Sequence, residues 1–178
     1  MSSVTTHHAA VATRASERTS PRAEALADRL VRGADSLALF AGTLTDVEWE
    51  TRLLKDGRKI GVIIHHVASV YPIEIQLAQT VATGLPVTGL TPADIDTMNA
   101  GHALEHDSPT KEETVSLLRR NSAEAAAAIR ALSDEDLDRA VPVSLYGDAP
   151  LTCQFVLEDH AVRHSYHHFA RIRAALRR

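Results

Sequence analysis

Apolar residues return every three or four positions along four long stretches of the chain, the period of helices that bury one face. The first stretch carries Leu26, Leu30, Ala34, Leu37 and Ala41. It opens at Ser20-Pro21, an N-cap followed by a first-turn proline, and closes at Gly42. The second runs from about Lys59 to Thr83 and stops at Gly84-Leu85-Pro86. Its clearest stripe is Ile63, His66, Val70, Ile73 and Leu77, which predicts that His66 faces the bundle interior. The adjacent His65 lines up with Gly61, Val62, Ala68, Ser69 and Pro72, a less apolar set. Pro72 has no N–H to donate and predicts a kink shortly after His66. The third stretch starts at Ser108-Pro109 and reaches about Leu132, with Val115, Leu118, Ser122, Ala125 and Ile129 inward. The fourth spans Leu151 to Arg178, with an inward stripe of Leu157, Ala161, His164, His168, Ile172 and Ala175. Phe155, Val162, Phe169 and Leu176 widen its buried arc.

Shorter signals join these four. Thr45-Asp46-Val47-Glu48 is a capping box opening a short helix that carries Trp49, the only tryptophan, and Lys55 to Arg58 read as a turn. Thr91-Pro92 begins a helix reaching about His106, and Ser133 to Asp136 begin another. Val141 to Pro150 read as a loop or weak extended segment. Residues 1–20, rich in Ser, Thr and Ala and without apolar period, read as a flexible tail ahead of a single domain over residues 21–178. His7 and His8 lie in that polar tail. The expected architecture is all-α: a four-helix bundle with short connecting helices and a disordered N-terminal tail.

Composition narrows the function classes. A net charge of −4 gives no electrostatic reason to expect nucleic acid as a partner. Aromatic residues at 4% and abundant alanine favour helix over sheet. One cysteine, Cys153, precludes an intramolecular disulfide and makes a reducing cytoplasm the expected setting. No apolar stretch is expected to span a bilayer, so no membrane partner is expected, and the start of the chain lacks a secretory pattern.

The histidines do more. His160, His164, His167 and His168 fall within nine residues of the last helix. Imidazoles four apart on a helix can share one metal ion. His164 and His168 lie on the apolar stripe, whereas His160 and His167 rotate towards its edge, His167 onto the surface. Any one inward histidine is ordinarily satisfied by a backbone or carboxylate group. Three of them, His66, His164 and His168, on two apolar stripes are costly to bury unpaired, and a metal gives all three a reason to be there. Three imidazoles without thiolate suit Zn²⁺, Ni²⁺ or Fe²⁺ and leave a coordination position open. His102 and His106 are a rival pair beside Glu105 and Asp107, but on a short helix with polar surroundings they read as a solvated face. Cys153 reads as a buried thiol with no neighbour to activate it.

Five segments together carry a resemblance: VIIHHVASVYPIEI, DIDTMNAGHALEH, SPTKEETVSLLRRN, LSDEDLDRAVPV and HSYHHFARIR. In that order they resemble the DinB-like superfamily, which includes metal-dependent hydrolases and thiol-dependent transferases such as mycothiol-dependent maleylpyruvate isomerase. The resemblance covers roughly Leu26 to the C-terminus. It implies one metal-binding histidine on the second helix and an HxxxH pair on the last, matching His66, His164 and His168, with His160 in reserve as an alternative partner of His164. Pro72, His65, His160 and His167 depart from the family pattern. The activity implied is that of a metal-dependent thiol S-transferase or isomerase of the mycothiol type, with a low-molecular-weight thiol as co-substrate and a small-molecule substrate. The alternatives are a metal-dependent hydrolase that activates water, with Glu74 as its candidate acid or base, and a bundle that binds metal or ligand without catalysis. An exposed apolar face would also support a homodimer.

Overall fold

The computed structural model describes residues 20–54 and 56–177; the expected N-terminal tail, His7 and His8 included, lies outside the described residues. Ser20 caps helix α1 (Pro21–Thr43) by accepting from the Ala23 N–H, and Leu26, Leu30, Ala34, Leu37 and Ala41 are all buried as their spacing predicts. The Thr45 capping box starts α2 (Asp46–Trp49). Trp49 reaches across to donate its indole N–H to the Pro109 carbonyl at 2.9 Å. Its ring passes so close to Gly61 that a Cβ there would lie 2.4 Å from the indole, so glycine is required.

Helix α3 (Ile60–Ala82) is next, followed by α4 (Pro92–Glu105), α5 (Lys111–Arg130) and α6 (Asp134–Asp138). The extended segment is a small antiparallel hairpin of β1 (Ala140–Val143) and β2 (Ala149–Thr152), with a 3₁₀ turn at Ser144–Tyr146 between them. The fourth long helix is continuous but not uniform. It consists of α7 (Cys153–Leu157), one π-helical turn (Glu158–Val162) and α8 (Arg163–Leu176).

The fold is a four-helix bundle. α1 packs on α5 and α8, and α3 packs on α5, α7 and α8, so α1 and α3 lie diagonally although they are consecutive long helices. Tyr166 of α8 crosses onto α1, donating to the Arg29 carbonyl at 2.9 Å with its ring over Gly33. The core between the helices is mostly aliphatic, built on Leu30, Leu37, Ile60, Ile64, Leu118, Ile129, Leu157 and Ile172 around the buried Tyr71.

Several expectations shift. α5 is capped by Thr110 rather than Ser108, and the last helix by Thr152 rather than starting at Leu151, because each of these hydroxyls accepts a first-turn N–H. Ala175 is exposed. α3 does meet the length and apolarity needed to cross a membrane, contrary to expectation, but most of its apolar window is buried inside the bundle. Of its predicted stripe, Ile63 and His66 are buried, but the rest of the buried face lies elsewhere. Ile60, Ile64, Val67, Tyr71, Ile75 and Ala78 enter the core, while Ile73 is exposed and Val70 and Leu77 are half-buried. Those three side chains line a cleft instead.

α3 runs through Pro72 without a break. The proline leaves the Ala68 carbonyl, four residues earlier, without its helical donor. Buried Asn121 of α5 supplies one, its Nδ2 donating to Ala68 O at 2.8 Å. Asn121→Leu keeps the bulk and removes the donor, so it should lower stability by about 1–3 kcal/mol. Urea unfolding measures this, and an unchanged midpoint would contradict it.

Candidate metal centre

One turn of α3 and one of α8 face each other at the floor of a 590 Å³ cleft. α3 contributes His66 and α8 contributes His164 and His168, and one ring nitrogen from each lies within 4.8 Å of the others. His66 and His168 are buried and His164 is half-buried. The His66 and His164 Nε2 atoms are 3.2 Å apart. His164 and His168 stack four residues apart on α8, with ring centroids 4.9 Å apart.

Glu74, two turns beyond His66 on α3, orders this group. Its Oε1 lies 2.5 Å from His164 Nδ1. A carboxylate accepts, so His164 Nδ1 carries the proton and its Nε2 offers a lone pair towards His66. If His66 answers with an Nε2–H, its own Nδ1 is left a buried lone pair, and that atom has no partner. His168 Nδ1 and Glu74 Oε2 are also buried without partners. Leaving such groups unpaired is unfavourable. A cation between the three imidazoles lets His66 and His164 both present lone pairs, which is the condition the donor set fits.

Burial, then the neighbouring His164, pushes the pKa of His66 from 6.5 down to about 3. Burial, then His164 and His66, takes His168 down to about 2. Both rings are therefore neutral across the physiological range, the form that binds metal.

The cleft above is walled by Val70, Ile73 and Leu77 of α3, by Leu90 and Leu145, and by Ile95 and Met98 of α4. Its polar rim comes from the π turn, whose Asp159 and His160 line it with Arg163. Tyr146 donates to Asp159 at 2.5 Å, and His160 Nε2 lies 3.1 Å from the same hydroxyl. Asp159 also pairs with Arg163 at 2.5 Å. His160 thus sits at the rim, engaged with Tyr146, rather than among the three converging rings. His167 is exposed at the cleft edge. Cys153 is fully buried, and burial raises its thiol to about 11, which leaves it inert.

The reading of His102 and His106 as a solvated face is corrected. Both rings turn towards His65, and the three form a second group with one nitrogen each within 4.8 Å. α4 is indeed polar and buries no residue, but it lies against α3 with these rings at the junction. Burial lowers the pKa of His65, and burial followed by the charge of His65 lowers His102 to about 4. The i,i+4 spacing of His102 and His106 was visible in the sequence. Their approach to His65 is a tertiary contact with no local signal, as are the pairing of Glu74 with His164 and that of Tyr146 with Asp159.

The family model of the DinB superfamily matches residues 29–172 of the chain. Among solved structures the chain is similar to YfiT from Bacillus subtilis, described as a probable metal-dependent hydrolase with an unusual four-helix bundle topology. That likeness has a TM-score of 0.71 and 18% identity, and covers 93% of this chain and 92% of that one. It is also similar to YjoA, a DinB-like protein from Bacillus subtilis, with a TM-score of 0.56, 13% identity, and 86% and 90% of the two chains covered. No curated protein matches the sequence. At these identities the two structural likenesses show a shared fold.

The lowered pKa values set a pH dependence for the metal-free protein. Between pH 6.5 and about 3 the unfolded chain binds protons that folded His66 and His168 refuse. The stability these neutral rings contribute is complete above pH 6.5 and is lost as the pH falls through that window. Melting temperature in chelator should therefore drop more steeply from pH 7 to 4.5 in the wild type than in His168→Asn. Equal slopes would contradict the assignment.

Proposed function

We propose that this chain, which belongs to the DinB superfamily, is a metal-dependent enzyme that activates a small nucleophile at the floor of its cleft. The observation that carries the reading is the convergence of His66, His164 and His168 on one point beneath an apolar, 590 Å³ opening. Three imidazoles would hold Zn²⁺, Ni²⁺ or Fe²⁺ and leave a position facing the cleft. A bound divalent ion supplies positive charge that lowers the pKa of a thiol or water beside it.

The chain's own residues supply the rest. Glu74 keeps the His164 Nδ1 proton and so fixes which nitrogen faces the ion. Its second oxygen, Oε2, has no partner in the protein and is the acceptor for the proton a nucleophile releases. The aliphatic walls exclude water and favour an apolar substrate body. Arg163 at the rim suits a carboxylate or other anionic substituent.

In the leading reading the nucleophile is a low-molecular-weight thiol of the mycothiol type, and the reaction is S-transfer to an electrophile or thiol-assisted isomerisation. The resemblance of the sequence motifs to thiol-dependent transferases supports it, as does a cleft large enough for a thiol and a second small molecule. The second reading is hydrolysis by an activated water. The description of YfiT as a probable metal-dependent hydrolase favours it, and so does the unpartnered Glu74 oxygen.

Protein loaded with Zn²⁺, Ni²⁺ or Fe²⁺ should conjugate a haloarene with at least one member of a thiol panel that includes mycothiol. Chelator should abolish the reaction, and His164→Ala should slow it by about 100-fold or more. Ester or amide turnover without thiol would replace the leading reading with the hydrolase. Stoichiometric metal with neither activity would leave a non-catalytic metal-binding bundle. Glu74→Gln should weaken metal affinity by about 10–100-fold, measured by competition with a chromophoric chelator. Unchanged affinity would remove Glu74 from its orienting role.

A further inference from the structure

α4 is held in place with little apolar burial. Its start is tied through the backbone pairing of Val87 with Val143 and through Ser144, which accepts from the Leu90 N–H at 3.1 Å and donates to the Leu90 carbonyl at 2.8 Å. Its end is tied by Lys59, which donates to the Asp107 carbonyl at 2.9 Å. Between these ties no α4 residue is fully buried. The close packing of α4 on α3 includes the three imidazoles of His65, His102 and His106. Their ring centroids are 5.1 Å (His65–His102), 4.3 Å (His65–His106) and 4.8 Å (His102–His106) apart.

The hydrogen bonds available do not satisfy this group. His65 Nδ1 lies 2.9 Å from His102 Nε2. Ser69 Oγ is 3.3 Å from the same Nδ1, but it donates its proton to the His65 carbonyl at 2.8 Å. Whichever of His65 and His102 donates to the other, His102 Nδ1 remains buried without a partner. Among the described residues no hydrogen bond or ion pair joins a carboxylate to these three rings. Three nitrogens, from His65 of α3, His102 in the last turn of α4 and His106 just after it, lie within 4.8 Å of one another and form a donor set for a metal ion. A tetrahedral ion bound at about 2.1 Å sets its ligand nitrogens about 3.4 Å apart, so the His65 and His102 nitrogens, 2.9 Å apart, would separate slightly to share one. His65 also borders a second cleft with Glu112, Glu113, Ser116 and Arg120, away from the first.

We propose that His65, His102 and His106 form a second divalent transition-metal site, separate from His66, His164 and His168, which pins α4 to α3. Imidazole ligands without thiolate suit Zn²⁺, Ni²⁺ or Cu²⁺. The site has a consequence for the first cleft, because α4 supplies Ile95, Met98 and Asn99 to its wall. An ion here fixes that wall through ligands distinct from the first triad, although the His102 ring meets the His66 ring edge-on with centroids 5.5 Å apart.

Zinc stoichiometry tests this directly, in full-length protein carrying His7→Ala and His8→Ala so that those residues cannot contribute. Equilibrium dialysis with Zn²⁺ and elemental analysis should give two ions per chain in this parent. The count should be one in His106→Ala and one in His66→Ala, each variant being checked for a cooperative melt. Amide exchange supplies an independent reading. Zn²⁺ should slow exchange across residues 92–105 in the parent and in His66→Ala, and leave it unchanged in His106→Ala. A single ion in the parent that survives His106→Ala overturns the second site while leaving the first intact. Two ions that persist in His106→Ala, or no zinc-dependent protection of α4, also overturn it. Loss of both ions in His66→Ala, together with loss of the α4 effect, would overturn the separateness of the second site.

Discussion

The structure turns on an opposition of imidazoles that protein groups alone leave incompletely paired. His66 and His164 meet nitrogen to nitrogen at 3.2 Å, with His168 beside them and a single carboxylate, Glu74, fixing one of the three rings. Every proton arrangement of these groups leaves a buried nitrogen without a partner. In a bundle whose core is mostly aliphatic, that concentration of polar groups is a local loss of stability set against the gain from the surrounding packing. Such a loss is characteristic of sites kept for chemistry rather than for folding.

Two irregularities in the helices make room for it. The π turn at Glu158–Val162 widens the last helix immediately before His164 and carries Asp159 and His160 to the rim of the cleft. π turns of this kind occur mostly at functional positions. Pro72 in α3 sits between His66 and Glu74, and the carbonyl it orphans is satisfied from α5 by Asn121. The bundle therefore tolerates two departures from helical regularity beside the same cleft, one in each helix that supplies the triad. Stability is restored by a hydrogen bond that reaches across from a neighbouring helix.

How much of this was legible in the sequence follows from which interactions are local. Helix starts marked by Ser20, Thr45, Thr91 and Ser133 lie where their hydroxyls and the following acids or prolines place them, because capping is decided within four residues. The α1 stripe and the HxxxH spacing of His164 and His168 were equally readable. The inward face of α3 was readable only at Ile63 and His66, since its N-terminal half is buried on most sides and Ile73 and Leu77 serve a cleft that only the assembled bundle creates. The stripe read on the last helix is buried on both sides of the π turn, at Leu157, Ala161, His168 and Ile172, and fails only at Ala175 in the last turn, which is exposed. His102 and His106 were judged by the polarity of their own helix. That polarity is real, but the docking of α4 onto His65 decides their surroundings, and no pattern within α4 encodes it.

The central claim is that His66, His164 and His168 hold one divalent ion with a position open to the cleft. Anomalous diffraction at the zinc edge, from crystals of the zinc-loaded protein, tests it most directly. The account predicts a peak about 2.0–2.1 Å from one nitrogen of each of these three rings, with Glu74 still on His164 Nδ1. Zinc bound elsewhere in the molecule, with no peak between these three rings, would contradict it.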